Sequence, residues 1–149
     1  MNSLELLYLD NENAYRKHYI ENYCKKCPIL TFDEIPVMFY PEKFEHAFYK
    51  RSIPSWKAPK TLFDYSRAER MDWIKTVLKD PHIVPKVGFD KARGKYDNKR
   101  RVAFLNEENY LVVIELDKKG KGIFITAYVV DNESTAEKIR NSPNWTKAK

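Results

Sequence analysis

The chain contains no apolar run near the roughly 18 residues a membrane-spanning helix needs, which argues against a helical integral membrane protein. Its start, MNSLELLYLDNENAY, lacks a basic region followed by an apolar stretch. No secretory signal is therefore expected, and a cytoplasmic protein is the default reading. Cysteine is scarce: two residues, Cys24 and Cys27, spaced as CKKC with His18 upstream. A zinc site takes about four ligands, and only His46, His82 or carboxylates remain to complete one, unless a second chain contributes. A redox CxxC belongs in a βαβ context, which the pattern does not show. The pair reads first as structural thiols, with zinc and redox roles left open, and no cofactor is expected. Internal repeats and low-complexity segments are also missing.

What remains is a chain of 149 residues, 43% apolar and 32% charged, long enough to bury a core. It divides into an N-terminal helical segment carrying the CxxC, 1–34, and a main domain, 35–149. Aromatic residues reach 14%, with ten Tyr and eight Phe. Such residues fill cores, and at a basic site they also stack on bases at roughly 1–3 kcal/mol each.

The formal charge is +6 and the sequence pI about 9.2, which points to an anionic partner. Nucleic acid, an acidic protein such as an inhibitor, and an anionic membrane surface all qualify. The segment Lys86–Arg101 holds seven basic and two acidic residues, so its local excess nearly equals that of the whole chain. Lys86, Lys91, Arg93, Lys95, Lys99 and Arg100 are candidates for gripping an RNA backbone, with Arg93, Lys95 and Lys99 on a mobile basic loop. Arg100 and Arg101 open a strand, point to opposite faces, and cannot both address one site.

Periodicity predicts a helix over residues 3–23, ended at the CKKCP turn. A short strand follows at 35–40 and a helix over 41–51, PEKFEHAFYKR, with Pro41 at its first position. After a proline-interrupted loop, SIPSWKAPK, comes the strongest helical pattern, Ser66 to Lys79, with Ser66 and Glu69 as a capping box. Strands are expected at 82–87, 101–105, 110–116 and 122–130, then a short helix, STAEKIRN. In the last strand, Ile123, Ile125, Ala127 and Val129 should face one way, and Phe124, Thr126, Tyr128 and Val130 the other. The fold class is α+β, with N-terminal helices packed on a C-terminal antiparallel sheet of about four strands.

Cleaving RNA without a metal needs a base for the 2′-hydroxyl, an acid for the leaving oxygen, and cations for the charged phosphorane. His46 offers proton transfer, and Lys50, four residues on in the same expected helix, shares its face. The alternative for His46 is ordinary packing between Phe44 and Phe48. Arg67 and Arg70 stand at the end of their helix where cations are disfavoured. Pairing with Asp64, Glu69 or Asp72 would account for either. Thr126 and Tyr128, two apart in a strand, share a face; their β-propensity is the competing explanation.

Three stretches carry a family resemblance: FEHAFYKR; SRAERMDWIKTVL followed by KRRVAFL and NYLVVIEL; and GIFITAYVVD followed by KIRNSPNW. Over roughly residues 35–145 the chain resembles the barnase/EndoU/colicin E5–D/RelE-like (BECR) ribonuclease superfamily, its phage-associated branch above all. The resemblance implies a BECR-like nuclease domain and an endoribonuclease, a toxin or phage-borne enzyme, leaving a 2′,3′-cyclic phosphate. Transfer RNA is among its substrates by analogy, and an acidic antitoxin or immunity protein among its partners. It implies His46 as general acid or base, Lys50, Arg70 and Arg101 as phosphate cations, and Thr126 and Tyr128 as walls of the site. No glutamate stands clearly at the position of the barnase-type base; Glu115 lies on a strand of unassigned facing. The competing reading is a non-catalytic nucleic-acid-binding or phage structural module.

Overall fold

The computed structural model describes residues 4–51, 60–90 and 95–146, and in it the first helix begins later than periodicity predicts. Asn11 caps it, its side-chain oxygen accepting from the Ala14 N–H. From there α1 (Glu12–Tyr19) runs into a π-helical turn, Ile20–Cys24. Residues 4–10 are not helical because their polar groups are bonded elsewhere. The Leu7 N–H donates to the Glu69 carbonyl at 2.7 Å, and the Glu5 carbonyl accepts from Trp73 Nε1 at 3.0 Å.

The sheet has six strands in the order β1 (Ile29–Leu30), β2 (Pro36–Met38), β8 (Gly122–Val129), β7 (Tyr110–Leu116), β6 (Lys95–Leu105), β5 (Lys86–Asp90). The expected four-stranded antiparallel sheet is thus corrected. Two N-terminal strands extend it, and β2 lies parallel to β8 through Val37↔Gly122 and Met38↔Ile123. Val37 is fully buried there, and Ile35 and Phe39 of the same segment pack into the main core. The class is α+β: an N-terminal helix packs on a mixed, mostly antiparallel sheet, and a C-terminal helix, α5 (Glu133–Arg140), follows. Asn132 caps α5 by accepting from the N–H groups of Ser134 and Thr135.

Two expected helices are shorter than their patterns. The segment 41–51 is helical only as α2 (Lys43–Phe48); Tyr49–Arg51 turns into β3, paired with β4 (Lys60–Phe63) in a separate hairpin. The segment 66–79 breaks into α3 (Tyr65–Ala68) and α4 (Trp73–Leu78). Asp64, not Ser66, caps α3, its side chain accepting from the Arg67 N–H. At the break the backbone bonds tighten, the Trp73 and Ile74 N–H groups donating three residues back to Arg70 and Met71. The carbonyls of Arg70 and Met71 accept from the hydroxyls of Tyr110 and Tyr23, at 3.2 and 2.9 Å.

Those tyrosines belong to a wider arrangement. Tyr15, Tyr19, Tyr23 and Tyr110 are buried. Each hydroxyl donates to a backbone carbonyl of another segment: Leu7, Tyr40, Met71 and Arg70 respectively. Buried phenols need such partners. With Phe39, Phe44, Phe48, Phe104 and Phe124 they fill the main core between the sheet and α1, α2 and α4. Much of the aromatic excess is therefore structural. Burial pushes the Tyr19, Tyr23 and Tyr110 hydroxyls well above their usual value.

Two bulges shape the opposite, outer face of the sheet. Between β7 and β8 the register steps from Val113↔Thr126 to Ile114↔Phe124, leaving Ile125 as an extra residue. Phe124 and Ala127 consequently both enter the main core, while Ile125 and Tyr128 pack on the outer cluster of Ala103, Leu111, Val113, Val130 and Ala136. The simple alternation expected for this strand is corrected by that one residue. Between β5 and β6 the register jumps from Val87↔Val102 to Gly88↔Asp97. Residues 95–100 accordingly lie on a strand rather than on the expected basic loop.

Candidate nucleic-acid site on the outer sheet face

The outer face can be read from cross-strand pairing. One row is Arg101 on β6, Glu115 on β7 and Ile123 on β8; the next is Ala103, Val113 and Thr126; the third is Leu105, Leu111 and Tyr128. Helix α5 packs over the β5–β6 side of this face, where Ala136 clusters with Ala103 and Val113 of the second row and Leu111 of the third. Toward the first row the face turns polar.

Arg101 Nη2 donates to Glu115 Oε2 at 3.4 Å, with the two side chains 27% and 37% exposed. Such a half-exposed, long contact contributes little to stability. Arg101 Nε is buried and has no hydrogen-bond partner, and the same holds for Thr126 Oγ1. The two orphans lie on β6 and β8, on either side of β7, and each sits beside a bulge. A buried donor left unbonded costs about 1–3 kcal/mol, more for a charged group. Bulges re-aim side chains at the expense of regular pairing. Glu115 and Thr126 are cross-strand diagonal neighbours, about 7–8 Å apart at Cα by strand geometry. Arg101 and Glu115 share one row of this face, and Thr126 stands in the next row on the far side of β7.

Tyr128 forms the edge of this area. Arg67 of α3 lies over its ring at 4.9 Å, donates to the Ala47 carbonyl at 3.4 Å and pairs with Asp64 at 3.6 Å. Burial raises the Tyr128 hydroxyl above its usual value, opposed by the Arg67 charge. Arg70 is placed differently. Its Nη1 donates to the Ser66 carbonyl at 2.6 Å and to Glu69, and its guanidinium lies over Trp73 at 5.2 Å, on the main-core side. Arg70 Nε is also buried without a partner. Arg67, rather than Arg70, is the arginine that reaches Tyr128.

His46 is exposed on α2, whose Phe44, Ala47 and Phe48 pack into the main core, so it stands on the layer opposite the face that carries Arg101, Glu115 and Thr126, and the structure does not bring it to them. The expectation that it packs between Phe44 and Phe48 is corrected, since those two rings are buried and it is not. The shared helix face of His46 and Lys50 is also corrected: α2 ends at Phe48, and Lys50 is an exposed strand residue opposite Leu62. Lys86 lies on β5 and donates to Asn144 Oδ1 at 2.6 Å. Lys95, Lys99 and Arg100 lie on β6, while Lys91 and Arg93 fall outside the described residues.

Sequence patterns missed the facing of Glu115. The strand YLVVIEL is apolar on both faces, so alternation carries no signal, and only the pairing with Arg101 fixes its side. A lone carboxylate breaking an apolar run was the available hint.

Cys24 and Cys27 are free, half-buried thiols; Cys27 Sγ donates to the Cys24 carbonyl at 3.1 Å. Burial pushes the Cys24 thiol up to about 11. His18 is engaged elsewhere, with Nε2 2.9 Å from Asp72 Oδ1. Among the described residues, no group of three or more His, Cys, Asp or Glu side chains could hold a metal ion. Among them, too, no helix is long and apolar enough to cross a membrane.

What these features define is an α+β domain with an unsatisfied polar patch on one sheet face. Comparison with family models, curated proteins and solved structures gives no match to the chain.

Proposed function

We propose that the chain is a metal-independent endoribonuclease with a BECR-like fold, acting on the outer face of its sheet. The observation that carries this reading is the pair of buried, unbonded donors, Arg101 Nε and Thr126 Oγ1, flanking the Glu115 carboxylate. Separate oxygens of a phosphodiester group would satisfy the two donors, and the carboxylate paired with Arg101 is a proton acceptor of the kind that cleavage requires.

In the proposed reaction Glu115 takes the proton of the ribose 2′-hydroxyl, and that oxygen attacks phosphorus. The bond from phosphorus to the 5′-oxygen breaks, and the leaving oxygen takes a proton from water. The products are a 2′,3′-cyclic phosphate and a 5′-hydroxyl. Arg101 and Thr126 bond the phosphorane oxygens, and Tyr128, held under Arg67, walls the base side. Lys50 and the basic strands β5 and β6 supply sequence-independent attraction to the backbone. Arg70 acts through the α3–α4 turn that it braces. A toxin or phage-borne role, with transfer RNA as a substrate and an acidic inhibitor covering this face, fits the same chemistry.

The test is incubation of the protein with total RNA in excess EDTA, followed by analysis of the fragment ends. Cyclic phosphate termini are expected for wild type, with losses of about 100-fold or more for Glu115→Gln and Arg101→Ala. Salt-sensitive RNA binding with no product over hours would replace the enzyme with a binding module. Cleavage that requires added metal would remove the proposal altogether.

A further inference from the structure

We infer that Gly88 is a positioning residue for Arg101; the inference rests on the nuclease reading and adds a residue on a neighbouring strand to its site. A Cβ built on Gly88 would overlap the Arg101 side chain at Cγ and lie 2.9 Å from Cδ and 3.0 Å from Cβ. These are stem atoms, so no small movement of the guanidinium end relieves the overlap. The whole side chain must leave its rotamer, carrying Nε and Nη2 away from Glu115.

Conformational freedom does not account for glycine here, since Gly88 is not in the left-handed region; among the described glycines only Gly120 is. Room is the reason. The register jump after Val87↔Val102 places Gly88 opposite Asp97 and leaves Arg101 without a direct partner on β5. Its stem is free to lie across that strand, over the one residue type that leaves space. The side chain is thereby seated at its stem by β5, with its tip 3.4 Å from Glu115 and Nε unbonded between them. Binding sites gain from such preorganisation because the ordering is complete before the ligand arrives.

A double-mutant cycle over Gly88→Ala and Arg101→Ala tests this, read by melting midpoint and by affinity for a mixed-sequence 2′-O-methyl RNA 20-mer, which cannot be cleaved. Gly88→Ala should weaken binding about tenfold or more, the loss expected for one charge-assisted hydrogen bond. The double variant should bind no worse than Arg101→Ala alone. Gly88→Ala should also lower the midpoint in the wild-type background and much less once Arg101 is alanine, because the overlapping Cγ and Cδ are then gone. If Gly88→Ala alone fails to fold, a double variant that folds supports the inference and one that also fails overturns it. Additive losses, or a Gly88→Ala protein with native binding and midpoint, overturn it as well. Wild type that neither binds nor cleaves RNA sinks the nuclease reading instead, and the melting cycle still decides whether Gly88 seats Arg101.

Discussion

Replacing Thr126 by valine should raise stability and lower activity together. The residue lies opposite Val113 in a paired strand, and valine suits that backbone as well as threonine does. Its hydroxyl oxygen is buried and bonds nothing. Leaving such a group unpaired costs about 1–3 kcal/mol, and the lower end applies because the residue as a whole is only half-buried. Removing about 1 kcal/mol of penalty should raise the melting midpoint by about 2–4 °C in a chain of this size. If the hydroxyl is kept for a phosphate oxygen, its loss removes a hydrogen bond to a charged group, about 1.5–3 kcal/mol. That converts to a fall of about 10–100-fold in kcat/KM. Thermal melting of wild type and Thr126→Val, beside cleavage of total RNA in EDTA, reads both quantities. A lower midpoint for the variant means that the hydroxyl has a partner in the free protein, and the reasoning fails at its first step. A higher midpoint with unchanged cleavage means that RNA does not use it.

Two further outcomes follow from the core and the thiols. Tyr110→Phe removes the hydroxyl that donates to the Arg70 carbonyl within the α3–α4 break. It should cost about 1 kcal/mol, measured by urea unfolding with an unchanged m-value; a neutral result would show that the break does not depend on that bond. For Cys24, burial disfavours the thiolate and sets the pKa at about 11, so the neutral thiol dominates at pH 8. Alkylation by iodoacetamide, followed by peptide mapping, should climb about tenfold per pH unit between 8 and 10. A rate at pH 8 equal to that of a free cysteine peptide would contradict the burial argument.

Sequence patterns carried the elements whose apolar content alternates or whose ends are capped, and they failed where tertiary partners compete with local order. The strands over 110–116 and 122–130 and the terminal helix were legible because turns and a cap bracket them. The helix over 66–79 looked continuous, since Met71, Ile74, Val77 and Leu78 keep helical spacing; at the break the Arg70 and Met71 carbonyls accept from N–H groups three residues on and also from the hydroxyls of two tyrosines from elsewhere in the chain. Lys50 was misread because PEKFEHAFYKR has no stop signal at Phe48, and pairing with 60–63 decides the end. In the site, Thr126 and Tyr128 were visible as an i, i+2 pair. The bulge at Ile125 was not, and neither was the side on which Glu115 stands, because a register is a relation between strands and leaves no mark on either one alone.

The short parallel contact between β2 and β8 has a consequence for the order of assembly. It ties residues 37–38 to 122–123, and the buried rings of Tyr19 and Phe39 meet Phe124 just beyond it. During synthesis the amino-terminal aromatic residues must wait for most of the chain before their last neighbour emerges. Such distant closures are slow compared with hairpin formation. The β5–β8 meander should therefore form first and dock the earlier segment afterwards, with an exposed aromatic surface in the interval that a chaperone could engage.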